Sequence, residues 1–211
     1  MTAVEALGGL TLRTERLELR LPTEDELDSL AALAERGIHP PGRTPFATRW
    51  TDTIGTPGFR DGFRAYHLER RASWSPDAWS LPFGVWHDGE LVGVMDLIAK
   101  RFAEERRVAT GSWLGLAHQG RRLGTEMRAA VLELAFAGLG AERATTSAVE
   151  WNAASIGVSQ KLGYTYVGRG DGCLDGAELR YELTRETWLS RPRIPVAVDG
   201  LDDCLPLFGV G

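Results

Sequence analysis

Between Trp113 and Glu126 the chain reads Trp-Leu-Gly-Leu-Ala-His-Gln-Gly-Arg-Arg-Leu-Gly-Thr-Glu, a strand-like apolar piece that ends in a basic, glycine-bearing loop and opens a helix. A helix start leaves backbone N–H groups unpaired and gathers the positive ends of the peptide dipoles, so small residues placed there can wrap a phosphate or pyrophosphate. Arg121 and Arg122 add full charges, and Gly124 lets the backbone approach where a Cβ would collide with a ligand. A strand that runs into a helix is expected in a chain that mixes the two, α/β (α+β) in class.

A second segment has the same punctuation. In Trp151-Asn152-Ala153-Ala154-Ser155-Ile156-Gly157-Val158-Ser159-Gln160-Lys161-Leu162-Gly163-Tyr164, Asn152 is a good N-cap, a helix runs to about Leu162, Gly163 stands where a left-handed C-cap is wanted, and Tyr164 begins a strand.

Elsewhere the periodicities alternate between strand and helix. Leu17, Leu19 and Leu21 alternate with charged residues as a half-buried strand does. Thr23 and Glu26 form a capping box ahead of Leu27, Leu30, Ala31 and Ala34, and Gly37 ends that helix. The proline-rich run from His39 to Phe46 leads into a long ordered loop that reaches Pro57, and a helix over Phe59 to Arg70 follows. Asp88-Gly89 between two apolar runs predicts a tight hairpin, because such a turn needs positive φ at both central residues. Further strands are expected near Arg107 to Leu116, Arg143 to Val149, Tyr164 to Val167 and Ala177 to Leu183. A long helix over Glu126 to Ala137 has a core stripe of Met127, Ala130, Val131, Leu134 and Ala135, with Leu132 and Phe136 on another side implying wide burial. The expected sheet is mixed, mostly antiparallel and flanked by helices.

Both segments resemble motifs of the GNAT (GCN5-related) N-acyltransferases. Gln119-Gly120-Arg121-Arg122-Leu123-Gly124 is similar to the family's acyl-CoA motif, Gln/Arg-x-x-Gly-x-Gly/Ala between the fourth strand and the third helix, except that Arg122 replaces the middle glycine. Asn152 to Tyr164 is similar to the next motif, Asn-x-x-Ser/Ala followed by a helix and Lys-Leu-Gly-Phe/Tyr. The Trp-Leu-Gly and Gly-Thr-Glu pieces resemble the ribosomal-protein-acetylating, RimJ/RimL-like branch. Blocks at Arg43 to Trp50, Trp79 to Pro82, Gly111 to Phe136 and Val198 to Phe208 resemble an actinobacterial subgroup that includes a mycobacterial succinyl-CoA-dependent transferase.

The resemblance implies a GNAT domain over residues 1–190, with a C-terminal extension, 191–211, that packs on its own or a neighbouring subunit. It implies direct transfer of an acetyl or succinyl group from CoA to a primary amine, small-molecule or peptide. The donor would lie on Trp113, Leu114, Gln119, Gly120, Arg121, Arg122, Leu123, Gly124, Thr125, Asn152, Ser155 and Ser159. Amide formation from a thioester needs a neutral amine, charge relief for the oxyanion and a proton for the leaving thiolate. The resemblance assigns the oxyanion to a backbone N–H near Leu114. It places Ser159, with Ser155 one turn before it, where many relatives have a proton-donating tyrosine.

The amine base is open. Asp96 is an acid amid Val92, Val94 and Ile98 on one strand face, and His39 has a suitable unperturbed pKa; water, or an amine that arrives neutral, would also serve. His39 and Arg43, with Phe46 and Trp50, form the expected acyl and acceptor pocket, and His39, Arg43 and Arg49 would suit a succinyl carboxylate. The competing reading is a GNAT-fold sensor or scaffold that holds acyl-CoA without efficient catalysis.

A net charge of −5 with scattered arginines argues against a nucleic-acid partner. No apolar run approaches the ~18 residues of a membrane span and no secretory pattern opens the chain, so a cytoplasmic protein is expected. Cys173 and Cys204 have no metal-ligand spacing and are expected reduced, with no metal required. Apolar Leu201, Leu205, Leu207 and Phe208 in the tail, with the aromatic-rich loop, suggest a homo-oligomer of two or more copies.

Overall fold

The computed structural model describes residues 3–210. In chain order it runs α1 (Ala3–Gly8), β1 (Thr11–Arg13), β2 (Leu17–Arg20), α2 (Glu24–Glu35), α3 (Phe59–Ala72), β3 (Ala78–His87), β4 (Glu90–Lys100), α4 (Phe102–Glu105) and β5 (Arg107–Leu114). It continues with α5 (Leu123–Glu133), β6 (Arg143–Val149), α6 (Ala153–Lys161), β7 (Thr165–Gly170), β8 (Glu178–Thr184), α7 (Arg185–Leu189), β9 (Ala197–Asp199) and α8 (Leu201–Cys204). Among the described residues the strands make one sheet in the order β7-β8-β6-β5-β4-β3-β2-β1-β9. Every neighbouring pair is antiparallel except β5 with β6.

Local chemistry sets the boundaries. Thr23 and Glu26 cap α2 reciprocally, and Arg20 grips the Glu26 carboxylate with both terminal nitrogens. The hairpin between β3 and β4 turns on Asp88 and Gly89, both at positive φ. Asn152 accepts the Ser155 N–H and Gly163 takes φ +91° after α6.

Two apolar clusters hold the layers together. On one face of the sheet, α2 and α3 bury Leu27, Leu30, Leu33, Phe59 and Phe63 against Val94. On the other, Leu19, Phe83, Met95 and Leu97 pack against Leu123, Met127 and Val131 of α5.

Several boundaries differ from the sequence reading. The central helix begins at Leu123 rather than Glu126 and passes into a π-helical turn over Leu134–Gly138. Leu132 and Phe136 are buried, the latter stacked on Trp188. The loop after Phe46 contains a 3-10 turn, Trp50–Thr53. Short β1 and β9 had no periodic signal, because three residues are too few to display one. The tail packs on its own chain: β9 pairs with β1, and Phe208 lies fully buried, edge-on to the stacked rings of Trp74 and Trp79.

Candidate active site

β5 and β6 part company soon after they meet. Their ladder covers only Arg107–Ala109 against Arg143–Thr145, and beyond it threonine side chains span the gap: Thr146 Oγ1 donates to the Thr110 carbonyl at 3.3 Å. A cleft opens from there to the end of β5.

The lining of that cleft follows from the other edge of β5. Gly93 faces Leu114 in the antiparallel ladder with β4, and Gly115 N donates to Val92 O at 3.0 Å. In such a ladder these bonds flank a non-hydrogen-bonded pair, so the Leu114 N–H and C=O point away from β4. By the same alternation the Ser112 N–H also faces the cleft. The Leu114 carbonyl is taken by Gln119 Nε2 at 2.9 Å, which also donates to Ile38 O at 2.8 Å. Gln119 therefore staples the loop to β5 and spends its amide donors within the chain.

The cleft ends at the start of α5. Gly120 takes φ +74°, and Arg122 stands in the left-handed region at φ +64° as the N-cap. A non-glycine residue there stores about 1–2 kcal/mol of strain. The arginine thus follows the backbone path that suits a glycine, and it adds a guanidinium. A Cβ on Gly124 would meet Val158 and Leu114 side chains at 3.7 and 3.9 Å, ordinary contacts, so the protein alone does not require glycine there. Leu123 is fully buried beneath the loop, whereas Thr125 lies on the rim of a groove of about 450 Å³ with Arg16, Arg122, Lys161 and Arg191. Among the described residues no carboxylate pairs with Arg121, Arg122 or Lys161. Arg16 is anchored by Glu126, which accepts from Arg16 Nε at 2.8 Å and Thr14 Oγ1 at 2.6 Å, and it reaches the Arg121 carbonyl.

Asp96 stands opposite Gly111 on the face covered by α2 and α3. Its carboxylate accepts from Ser80 Oγ at 2.8 Å. Burial raises its pKa to about 6, opposed by the Ser80 hydrogen bond, the Arg70 charge and the Leu97 N–H. A Cβ on Gly111, the ladder partner of Asp96, would touch nothing within 4 Å. From Asp96 and Gly111 the same sheet face continues, one pleat on, into a groove of about 470 Å³ that begins at Ile98 and Ala109 and carries Lys100, Arg107 and Arg180.

The loop after α2 bridges the cleft mouth. His39, Phe46, Trp50 and Trp113 form a chain of ring contacts, with centroids 5.9, 5.2 and 6.1 Å apart. Across the cleft, Thr44 N donates to Asp175 at 2.6 Å, Arg49 pairs with the same carboxylate, and Arg43 lies over the Trp151 ring at 4.1 Å. The loop closes on Asp175, which carries no signal in the sequence, and on Trp151, the residue before the Asn152 cap.

The matching family model is the Acetyltransferase (GNAT) domain, over residues 16–165. This chain belongs to the GNAT acetyltransferases. The fold of this GNAT protein is similar to that of Mycobacterium smegmatis RimJ in complex with CoA-disulfide (TM-score 0.67, 17% identity, 95% of each chain). It is similar as well to RimL, ribosomal L7/L12 alpha-N-protein acetyltransferase, in complex with coenzyme A (TM-score 0.64, 14% identity, 82% of this chain and 97% of that one). A GNAT-family acetyltransferase from Bacillus anthracis gives TM-score 0.65 at 16% identity over 83% of this chain and 99% of that one. No helix among the described residues is long and apolar enough to cross a membrane.

The structure separates the two serines expected near the sulfur. Ser155 sits partly buried in the first turn of α6. Ser159 is fully buried: its hydroxyl donates to Ser155 O at 3.1 Å and accepts Arg128 NH1 at 3.0 Å. Its proton is thereby committed to Ser155 O and its oxygen to Arg128, surroundings that the sequence did not display. Arg128 is the residue the sequence reading missed. It lies at i and i+4 with Leu132 and at i+8 with Phe136, and the wide burial read from that face was the available signal.

Proposed function

We propose that this GNAT protein transfers an acyl group from CoA directly to the primary amine of a protein or peptide. The observation that carries the reading is the β5–β6 cleft: unpaired Ser112 and Leu114 N–H groups line it, a helix start with unpaired arginines closes one end, and Asp96 stands beside the other. The loop from Gln119 to Thr125, with Asn152 and Ser155 on the facing helix, would hold the donor, which supplies an activated thioester when bound.

The chain's own groups then divide the work. Asp96, a carboxylate above about pH 6, takes the proton of the attacking amine. The Ser112 N–H, opposite Met95 and one residue from Gly111, is the donor nearer Asp96 and receives the oxyanion; Leu114, assigned that role from sequence, pairs with the donor's arm. His39 is set against Phe46, with Nδ1 2.9 Å from Pro40 O, which favours Asp96 as the base. The open groove continuing from Asp96 suits an extended acceptor, and the name of one fold relative, RimL, ribosomal L7/L12 alpha-N-protein acetyltransferase, supports a protein substrate.

Acetyl-CoA is the donor favoured by the family. Succinyl-CoA is a second reading, favoured because Arg43 in the bridging loop has no carboxylate partner among the described residues. Thiol release from each donor with peptide and small amines tests both. Release that depends on an amine supports a transferase, and slow amine-independent hydrolysis throughout would indicate a binder. A tenfold preference for acetyl-CoA in kcat/KM, about 1.4 kcal/mol, would remove the succinyl reading.

A further inference from the structure

Arg128 is 4% exposed, yet no carboxylate pairs with it among the described residues. Its fork is met only by hydroxyls: NH1 donates to Ser159 Oγ at 3.0 Å, NH2 to Ser112 Oγ at 3.5 Å, and Nε has no partner. Two more buried polar atoms nearby are orphaned, Thr110 Oγ1 and the Tyr164 phenol, which face each other without a well-formed hydrogen bond. Burial lowers the arginine's pKa and raises that of Tyr164, and the guanidinium keeps its charge at neutral pH. A buried cation without an anion is costly to keep. It points to an anion that arrives with the reaction.

Position says which one. Ser112 is the strand residue whose N–H faces the cleft, with Asp96 on one side of the sheet and Arg128 on the other. The α5 start, where the donor enters, lies on the Arg128 side. The amine therefore attacks from the Asp96 side, and the thioester sulfur ends on the Arg128 side.

We propose that the Arg128 guanidinium receives the leaving CoA thiolate, so that the C–S bond breaks without a proton donor. This rests on the cleft holding the donor as proposed above. The amine nitrogen forms the C–N bond and gives its proton to Asp96. When the C–S bond breaks, its electron pair leaves on sulfur, faces Arg128, and is protonated from solvent after CoA departs. Ser159 is then a positioning residue that holds NH1.

The test is the ionisation of bound CoA, followed by ultraviolet thiolate absorbance against pH, with desulfo-CoA as a ligand lacking the thiol. Bound to the wild-type protein, the thiol should ionise well below the usual value of about 8.5, and Arg128→Met should make its ionisation constant at least about tenfold smaller, with Arg128→Lys between. Desulfo-CoA affinity should be equal in all three. Unchanged thiol ionisation in Arg128→Met, or equal loss of CoA and desulfo-CoA affinity, overturns the role of Arg128. Failure of desulfo-CoA to bind wild-type protein instead overturns the cleft reading. Should Arg128→Met not fold, Arg128→Lys and Ser159→Ala carry the same measurement, each with a smaller upward shift.

Discussion

Asp96→Asn should make the protein more stable and inactive at once. Folding raises the carboxyl from 3.8 to about 6 because burial penalises its charged form. Two units correspond to about 3 kcal/mol of cost for ionising Asp96 in the fold at neutral pH. Between pH 3.8 and about 6 the native state keeps a proton that the unfolded chain has released, so this cost disappears as pH falls through that window. His67 runs the opposite way. It is 4% exposed, and burial first, then Arg71 and Arg70, lower its pKa from 6.5 to about 4. Its unfolded form binds the extra proton, so about 3 kcal/mol is lost as pH falls from 6.5 to 4. The two effects nearly cancel in the wild type. Asp96→Asn, which keeps an acceptor for Ser80, should gain about 2–3 kcal/mol at about pH 7.5 and nothing near pH 4 in urea melts. In thiol-release assays kcat/KM should fall about 10²- to 10⁴-fold, and the wild-type profile should rise through about pH 6. A destabilised Asp96→Asn at neutral pH, or one with activity within about threefold of wild type, would refute the reasoning.

His67→Leu should flatten the acid limb of stability between pH 6.5 and 4, seen as a higher urea midpoint near pH 4.5 than wild type under the same conditions. Arg122→Gly should relieve about 1 kcal/mol of left-handed strain, offset in part by glycine's greater freedom when unfolded, so thermal melts should move little while calorimetry shows CoA binding weakened by about 1–3 kcal/mol. Asp175→Ala should free the bridging loop from Thr44 and Arg49, raising KM for the acceptor more than it lowers kcat and making the loop more sensitive to protease.

What the sequence disclosed was local. The capping box at Thr23, the turn at Asp88, the caps at Asn152 and Gly163 and the loop before α5 each depend on neighbours within a few residues, so their chemistry is written where it acts. Glu126 holding Arg16 and Thr14, and Asp175 holding Thr44, join positions more than a hundred residues apart, which no periodicity reports. Arg128 shows a third case. A charge on a helix reads as a solvated position unless its own face is already known to be buried, and here Leu132 and Phe136 marked that face. The surroundings of Ser159 were hidden for the same reason, since they include the cation beneath it.

Calorimetric titration of CoA into wild-type and Gly124→Val protein bears most directly on whether the cleft and the α5 start hold the acyl donor. The added side chain faces only ordinary contacts at its Cβ, so melting curves should confirm a folded variant. Wild-type protein should bind CoA and the folded variant should not; wild-type affinity in a folded Gly124→Val protein would contradict the placement of the donor.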